Sequence, residues 1–184
     1  PGIVRATRDG MTDRVYDPAR DAAEIDGRDC GNGVVIVHEG GWETQYCHLK
    51  QGSVAVAEGN RVETGTVLGE IGMSGVAQFP HVHLDVRRNG SDMDPFAPNA
   101  EAEDCGPQSE TLWSQPPHYQ PGGLIAAGFA TGIPDYDSIK AGQAHAAELG
   151  TNAPALVLWG FAFGSRPGDV LRLQITTPDR LIVF

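Results

Sequence analysis

Basic residues are scarce in this 184-residue chain, and lysine is the scarcest, with only Lys50 and Lys140. Thirteen Lys and Arg stand against 24 Asp and Glu, the net charge is −11, and the cations form no cluster. That excludes a nucleic-acid surface, which needs grouped cations to displace counterions from phosphates. Long apolar runs are missing too. None approaches the roughly 18–20 residues that cross a bilayer as a helix, so no transmembrane segment is expected. The chain opens without the basic start, apolar stretch and small-residue cleavage site of a signal peptide. The expectation is a removed leader or a start part-way through a gene. Cysteine is limited to Cys30, Cys47 and Cys105. An odd count leaves one over, and a single disulfide would imply an oxidising compartment.

Chain-punctuating residues are plentiful, with 24 Gly and 13 Pro. They indicate many short strands joined by turns. A short strand near Ile3–Thr7 is followed by a charged excursion up to Asp29. Gly33–His38 is a β-branched run, Glu39–Trp42 a turn, and Glu43–Leu49 the returning strand of a hairpin. Short strands are expected at Ser53–Val56 and Thr66–Gly72, and His81–Arg87 alternates strictly before Arg88-Asn89-Gly90 turns it over. The fold class is therefore mainly β, an antiparallel sandwich or barrel-like core over residues 1–96. Residues 97–123, rich in Pro, Glu, Ser and Gln, read as a linker that Trp113 and Tyr119 dock. Residues 124–184 read as a smaller β-rich, immunoglobulin-like domain. Its elements are a helix over Ile139–Leu149 and strands at Ala155–Trp159, Val170–Ile175 and Leu181–Phe184.

Chemistry concentrates in histidines. His81 and His83 lie two apart on a strand and share a face, with Cα atoms roughly 6.5–7 Å apart. Two imidazoles at that spacing can converge on one metal ion and its water. His48 shares strand parity with Tyr46 on the neighbouring strand and can face the same cleft. Neutral imidazole ligates zinc, and a second one with a pKa near 6.5 exchanges protons at working pH. A His-x-His pair alone is a weak signal, because most strand histidines are solvated or simply hydrogen-bonded.

The surrounding motifs are more specific. Tyr46-Cys47-His48-Leu49 resembles the Tyr-x-His-Leu strand of lysostaphin/LytM-type zinc metallopeptidases. The segment Gly59–Gly69 resembles their Gly-x-x-Val-x-x-Gly-x-x-(Ile/Leu)-Gly pattern. Gly72-Met73-Ser74-Gly75, Pro80–Leu84 and Asp94-Pro95 follow in the same order and spacing. The resemblance covers about the first hundred residues. It implies a duplicated hybrid β-core, with His83 as zinc ligand and His48 and His81 as catalytic histidines that orient the attacking water and stabilise the tetrahedral intermediate. Zinc would act as a Lewis acid and lower the pKa of its water towards roughly 7.

The family takes two further zinc ligands from a His-x-x-x-Asp motif, and no histidine outside the His-x-His pair begins such a motif here. His38, His118 and His145 lack an Asp four residues on, and His38 is assigned to the sheet surface. Asp9, Asp13 and Asp85 are conceivable substitutes, although acidic residues in polar loops are usually just solvated. The motif is expected upstream of Pro1, a degenerate family member being the alternative. On a hairpin turning at Glu39–Trp42, Val34 pairs roughly with Cys47, which leaves Cys30 within bridging reach. Two buried thiols in a reducing cytosol are the other possibility; resemblance to a typically exported family favours a Cys30–Cys47 disulfide, with Cys105 free or paired outside the chain.

The function this implies is a zinc-dependent endopeptidase cleaving peptide cross-links of bacterial peptidoglycan, secreted or periplasmic. An inactive module that binds cell wall or activates an amidase is the alternative. Retention of all three histidines argues against decay. A lipoyl- or biotinyl-type carrier has similar glycine turns but needs a lysine at a hairpin tip, where neither Lys50 nor Lys140 lies.

Overall fold

The computed structural model describes residues 1–99, 110–118 and 120–182, so Cys105 and Tyr119 lie outside the described residues. The chain divides into two compact units, residues 1–118 and 119–184. It is mainly β and antiparallel, and its sheets do not close into a barrel.

The first unit is built on one six-stranded sheet in the order β4-β1-β2-β3-β5-β6. Its strands are β1 (Gly2–Arg8), β2 (Asn32–Val37), β3 (Trp42–Leu49), β4 (Arg61–Val62), β5 (His83–Arg88) and β6 (Ser91–Asp92). Period-2 alternation sends Val34 and Ile36 of β2 to one face, where they join Val4, Leu49 and Val62 in a buried cluster. Tyr46, Val54, Val56 and Leu68 pack against it. A 3-10 turn over Glu39–Gly41 closes the β2–β3 hairpin, and Gly40 and Gly41 both take positive φ there, a conformation costly for other residues.

Several local expectations are corrected. Ser53–Val56 and Thr66–Gly72 do not form strands; Ala55 N–H bonds Leu68 O and Ile71 makes an isolated bridge to Leu49, so two loops cover the core. The excursion after β1 contains helix α1 (Pro18–Ile25), capped by Asp17, whose carboxylate accepts from Ala19 N–H, with Pro18 at its first position. Turn-like composition around it hid this short helix. The hairpin register pairs Val34 with Tyr46, one residue from the alignment expected.

The second unit pairs β7 (Gly123–Ala130) with β8 (Val157–Phe163) and carries a short helix α2 (Tyr136–Lys140). That helix starts earlier and is shorter than the expected Ile139–Leu149 segment. Asp135 caps it, accepting from Ser138 N–H. Val170–Ile175 forms no strand; of the expected Leu181–Phe184 strand, Ile182 makes a bridge to Thr176 and residues 183–184 lie outside the described residues. Strand β7, which sequence reading placed in the linker and the unassigned start of the domain, is the main addition.

Candidate active site

Cys47 lies directly opposite His83 in the β3–β5 register, and Tyr46 opposite Leu84. Residues facing each other across antiparallel strands share a face, so His83 belongs to the face of Cys47, away from the core. Strict alternation would send His48 to the Tyr46 face, behind the sheet. His48 instead adopts φ 61, a left-handed conformation uncommon outside glycine. The kink brings its ring to the other side, 4.7 Å from the His81 ring and 5.8 Å from the His83 ring, centroid to centroid. Leu49 returns to the core immediately afterwards. The expected clustering is thus present for a reason opposite to the parity that suggested it. His81, just before β5, is held by a bridge to Gly72.

Hydrogen bonds distinguish the nitrogens of each ring. A carbonyl oxygen only accepts, so Nδ1–H of His48 donates to Ser74 O at 2.8 Å and Nδ1–H of His81 to Phe79 O at 2.8 Å. In the neutral ring of each, Nε2 carries the lone pair. His83 is reversed: its Nε2 donates to the Asp85 carboxylate at 3.2 Å, which leaves the lone pair on Nδ1. Arg87 holds the other Asp85 oxygen at 3.2 Å and also bonds Gln45, Glu43 and Asp92, an ionic row along the same face. Burial pushes the pKa of His48 below its ordinary value. The Ser74 carbonyl opposes that shift, while His81 and His83 reinforce it.

Cys30 and Cys47 are joined in a disulfide with Cα atoms 4.8 Å apart. It ties the excursion after β1 to the strand that carries His48, and His48 N–H donates to Cys30 O at 2.8 Å. The acidic residues of that excursion have structural partners. Asp9 accepts from the N–H groups of Gly10, Gly52 and Val54. Burial works to raise its pKa, but these three donors hold it below the ordinary value. Asp13 accepts from Met73 and Gln51 N–H. Both carboxylates brace the loops beside the histidines, so neither is simply solvated as expected for polar loops. Sequence reading missed this role because donors 38 to 60 residues away are invisible locally.

His38 lies apart from the cluster. Its Nδ1–H donates to Pro1 O and its Nε2 accepts from Thr44 Oγ1, both at 2.9 Å. It borders a groove of about 780 Å3 on the core side of the sheet, lined by Trp42, Leu84, Val86, Leu112 and Trp113. This apolar groove lies on the opposite face from the three histidines.

A catalytic zinc takes three protein ligands and keeps one position for water. Among the described residues no group of three or more His, Cys, Asp or Glu side chains is placed to hold a metal ion. His83 Nδ1 is one suitable donor. With Asp9 and Asp13 committed to loop amides, the donor set of the described residues does not fit a complete zinc site.

A family model described as Peptidase family M23 matches residues 3–95. The DD-carboxypeptidase/endopeptidase Mpg of Neisseria meningitidis serogroup B is 43% identical over 67 residues, which cover 36% of this chain and 15% of that protein. Mpg of Neisseria gonorrhoeae is 42% identical over 67 residues, with the same coverage. The chain thus spans about 15% of the length of the curated relatives it matches. Among solved structures, a zinc-containing peptidase from Vibrio cholerae aligns with TM-score 0.38 and 25% identity, over 50% of this chain and 23% of that one. A catalytic-domain variant of the prophage-encoded M23 protein EnpA from Enterococcus faecalis aligns with TM-score 0.41 and 21% identity, over 54% and 65% respectively.

Proposed function

The chain belongs to peptidase family M23, and from that premise we propose that its histidine groove cleaves peptide cross-links of bacterial peptidoglycan in the cell envelope. The observation that carries the reading is the convergence of His48, His81 and His83 through a left-handed kink that strand geometry alone would not produce. His48 and His81 are assigned as the catalytic histidines. A neutral His48 at neutral pH accepts a proton from the attacking water at Nε2 and, once protonated, donates from the same atom to the developing oxyanion or the leaving amine. His81 presents a second Nε2 for the same groups, while its Nδ1 is anchored to the Phe79 carbonyl. His83 is assigned as a zinc ligand, held in orientation by Asp85. The zinc-dependent form of the reading needs donors beyond the described residues.

That shortfall favours a second reading, a non-catalytic module that binds cell wall or activates an amidase. Two measurements separate them. In a competition titration against a chromophoric chelator, the 184-residue chain is expected to hold zinc weakly; tight, stoichiometric binding lost in His83→Ala would show a complete site. Purified peptidoglycan is then digested with the protein as its cell makes it, zinc supplied, and the muropeptides are read by mass spectrometry. The peptidase reading expects cross-linked muropeptides to disappear and new amino termini to form, both abolished by His81→Ala. Unchanged muropeptides, with the protein sedimenting on the sacculi, would move the assignment to the binding module.

A further inference from the structure

We propose that Ser74 and Asn32 are positioning residues for His48, holding in place the carbonyl that decides which of its imidazole nitrogens carries the proton. The catalytic meaning of this role rests on the reading above; the geometry and its test do not.

Ser74 and Asn32 have no exposed surface, and His48 is 5% exposed. Polar groups buried this deeply are costly unless hydrogen-bonded, and here they bond to one another's surroundings. Asn32 N–H donates to Ser74 Oγ at 2.9 Å, and the Ser74 hydroxyl donates to Leu49 O at 2.7 Å. Asn32 Nδ2 donates to the same Leu49 oxygen at 3.1 Å and to Met11 O at 2.8 Å, while its Oδ1 accepts from Met11 N–H. The residue after His48 is therefore anchored twice. His48 is held by its own backbone as well: its N–H donates to Cys30 O, and its C=O accepts from Gly72 N–H at 3.0 Å.

The loop carrying Ser74 lies backbone to backbone against the segment before β2. Gly31 and Gly75 both have positive φ, and a Cβ on either would overlap the other segment, on Ser74 or on Asp29 and Gly31. With the loop clamped there, Ser74 O sits 2.8 Å from His48 Nδ1. A carbonyl at that place accepts a proton donor and repels a lone pair. It selects the Nδ1–H tautomer, and with it the Nε2 lone pair.

Removing the Ser74 hydroxyl leaves the Asn32 N–H buried without an acceptor and one of the two Leu49 anchors gone, so the carbonyl keeps only the backbone packing at Gly31 and Gly75 and is held less firmly. The test is 15N-imidazole NMR on the 184-residue chain kept metal-free by chelator. Wild type is expected to show His48 as a single Nδ1–H tautomer. Ser74→Ala should turn it into a mixture of tautomers, with His81, bonded to Phe79 O, unchanged as the internal reference. Ser74→Thr, which keeps the hydroxyl, should restore the wild-type signature. A purely structural role would alter amide shifts and stability without switching the tautomer of one ring. A His48 signal that stays wholly Nδ1–H in a folded Ser74→Ala variant overturns the assignment. Should that variant not fold, wild type decides: an Nε2–H tautomer, or no scalar coupling across the His48–Ser74 hydrogen bond, overturns it as well. Tautomer switching in a protein without peptidase activity would overturn the functional reading and leave this one standing.

Discussion

The two units contain similar apolar residues and use them differently. In the first, Val4, Val34, Ile36, Leu49 and Val62 meet under six strands, and buried Asp21, Asn32 and Ser74 accompany them as bonded polar groups. In the second, two strands pair, and Trp159 is the one buried large hydrophobic side chain among the described residues. Ile133, Val170, Leu171 and Leu181 remain exposed there. Hydrophobic content alone does not make a core. Strands need several neighbours on one face before their side chains leave water together, and an isolated pair is marginal.

The contrast sharpens first at Trp159. Its ring lies over Gly128, where any Cβ would overlap it, and among the described residues it is the only large buried anchor of its unit. Trp159→Ala is expected to cost about 3–5 kcal/mol, towards the low end because its buried Nε1 has no hydrogen-bond partner to lose. Hydrogen exchange should then lose protection across β7 and β8. Retained protection would mean that the second unit has stabilisation beyond this side chain.

Next in size is the disulfide. Replacing both Cys30 and Cys47 by Ser should lower the stability of the first unit by ~3 kcal/mol, chiefly through freedom returned to the unfolded chain. Because His48 N–H bonds Cys30 O, the His48 resonances should broaden in the same variant. Denaturant unfolding with and without reductant measures the first effect. A midpoint insensitive to reductant would sink it.

A smaller, pH-dependent effect belongs to Asp21. Its side chain is enclosed and accepts from Arg20 and from Asp17 N–H, with Arg14 also at 2.9 Å. Principally through the Arg20 bond, its carboxyl is held well below the usual carboxylate range. A depressed folded-state pKa stabilises above the unfolded value near 4, and that contribution is lost as pH falls through the folded value. Asp21→Asn should therefore be less stable than wild type at neutral pH, with the gap narrowing in acid. Both arginines are substantially solvated, which keeps the electrostatic part modest. A gap constant from neutral pH into acid would show that the carboxylate charge is not the cause.

The smallest effect should come from the exposed side chains of the second unit. Leu171→Ser is expected to change stability by no more than about 0.5 kcal/mol, because 60% of Leu171 is already in water. A larger loss by thermal unfolding would mean that this residue is covered in solution, and the comparison between the units would weaken.

Much of the fold was legible because its determinants are local. The β-branched run of β2 and the turn glycines after it specify a hairpin whatever surrounds them, and the placement of Cys30 and Cys47 on that hairpin made their pairing geometrically reasonable. The His81–His83 spacing needs only the period of a strand. Helix α1 was not legible, since eight residues with a Pro start and an Asp cap look like a polar turn until Ile25 and Asp21 find a buried surface. Segments Ser53–Val56 and Val170–Ile175 had strand composition without strand partners, and pairing is a property of the neighbour.

By itself the sequence determined the antiparallel β class, the hairpin and the order of motifs that carries the family resemblance, because periodicity and turn chemistry act over a few residues. Only the tertiary structure decided which side of the sheet His48 occupies. Alternation assigns it to the core, and contacts with Cys30, Gly72 and Ser74, 18 to 26 residues away along the chain, hold it in the left-handed conformation that turns it to the groove. The same holds for Asp9 and Asp13, whose carboxylates are spent on loop amides remote in sequence. A side chain's type is written at its own position, but its partners are set by what the folded chain brings within 3 Å of it.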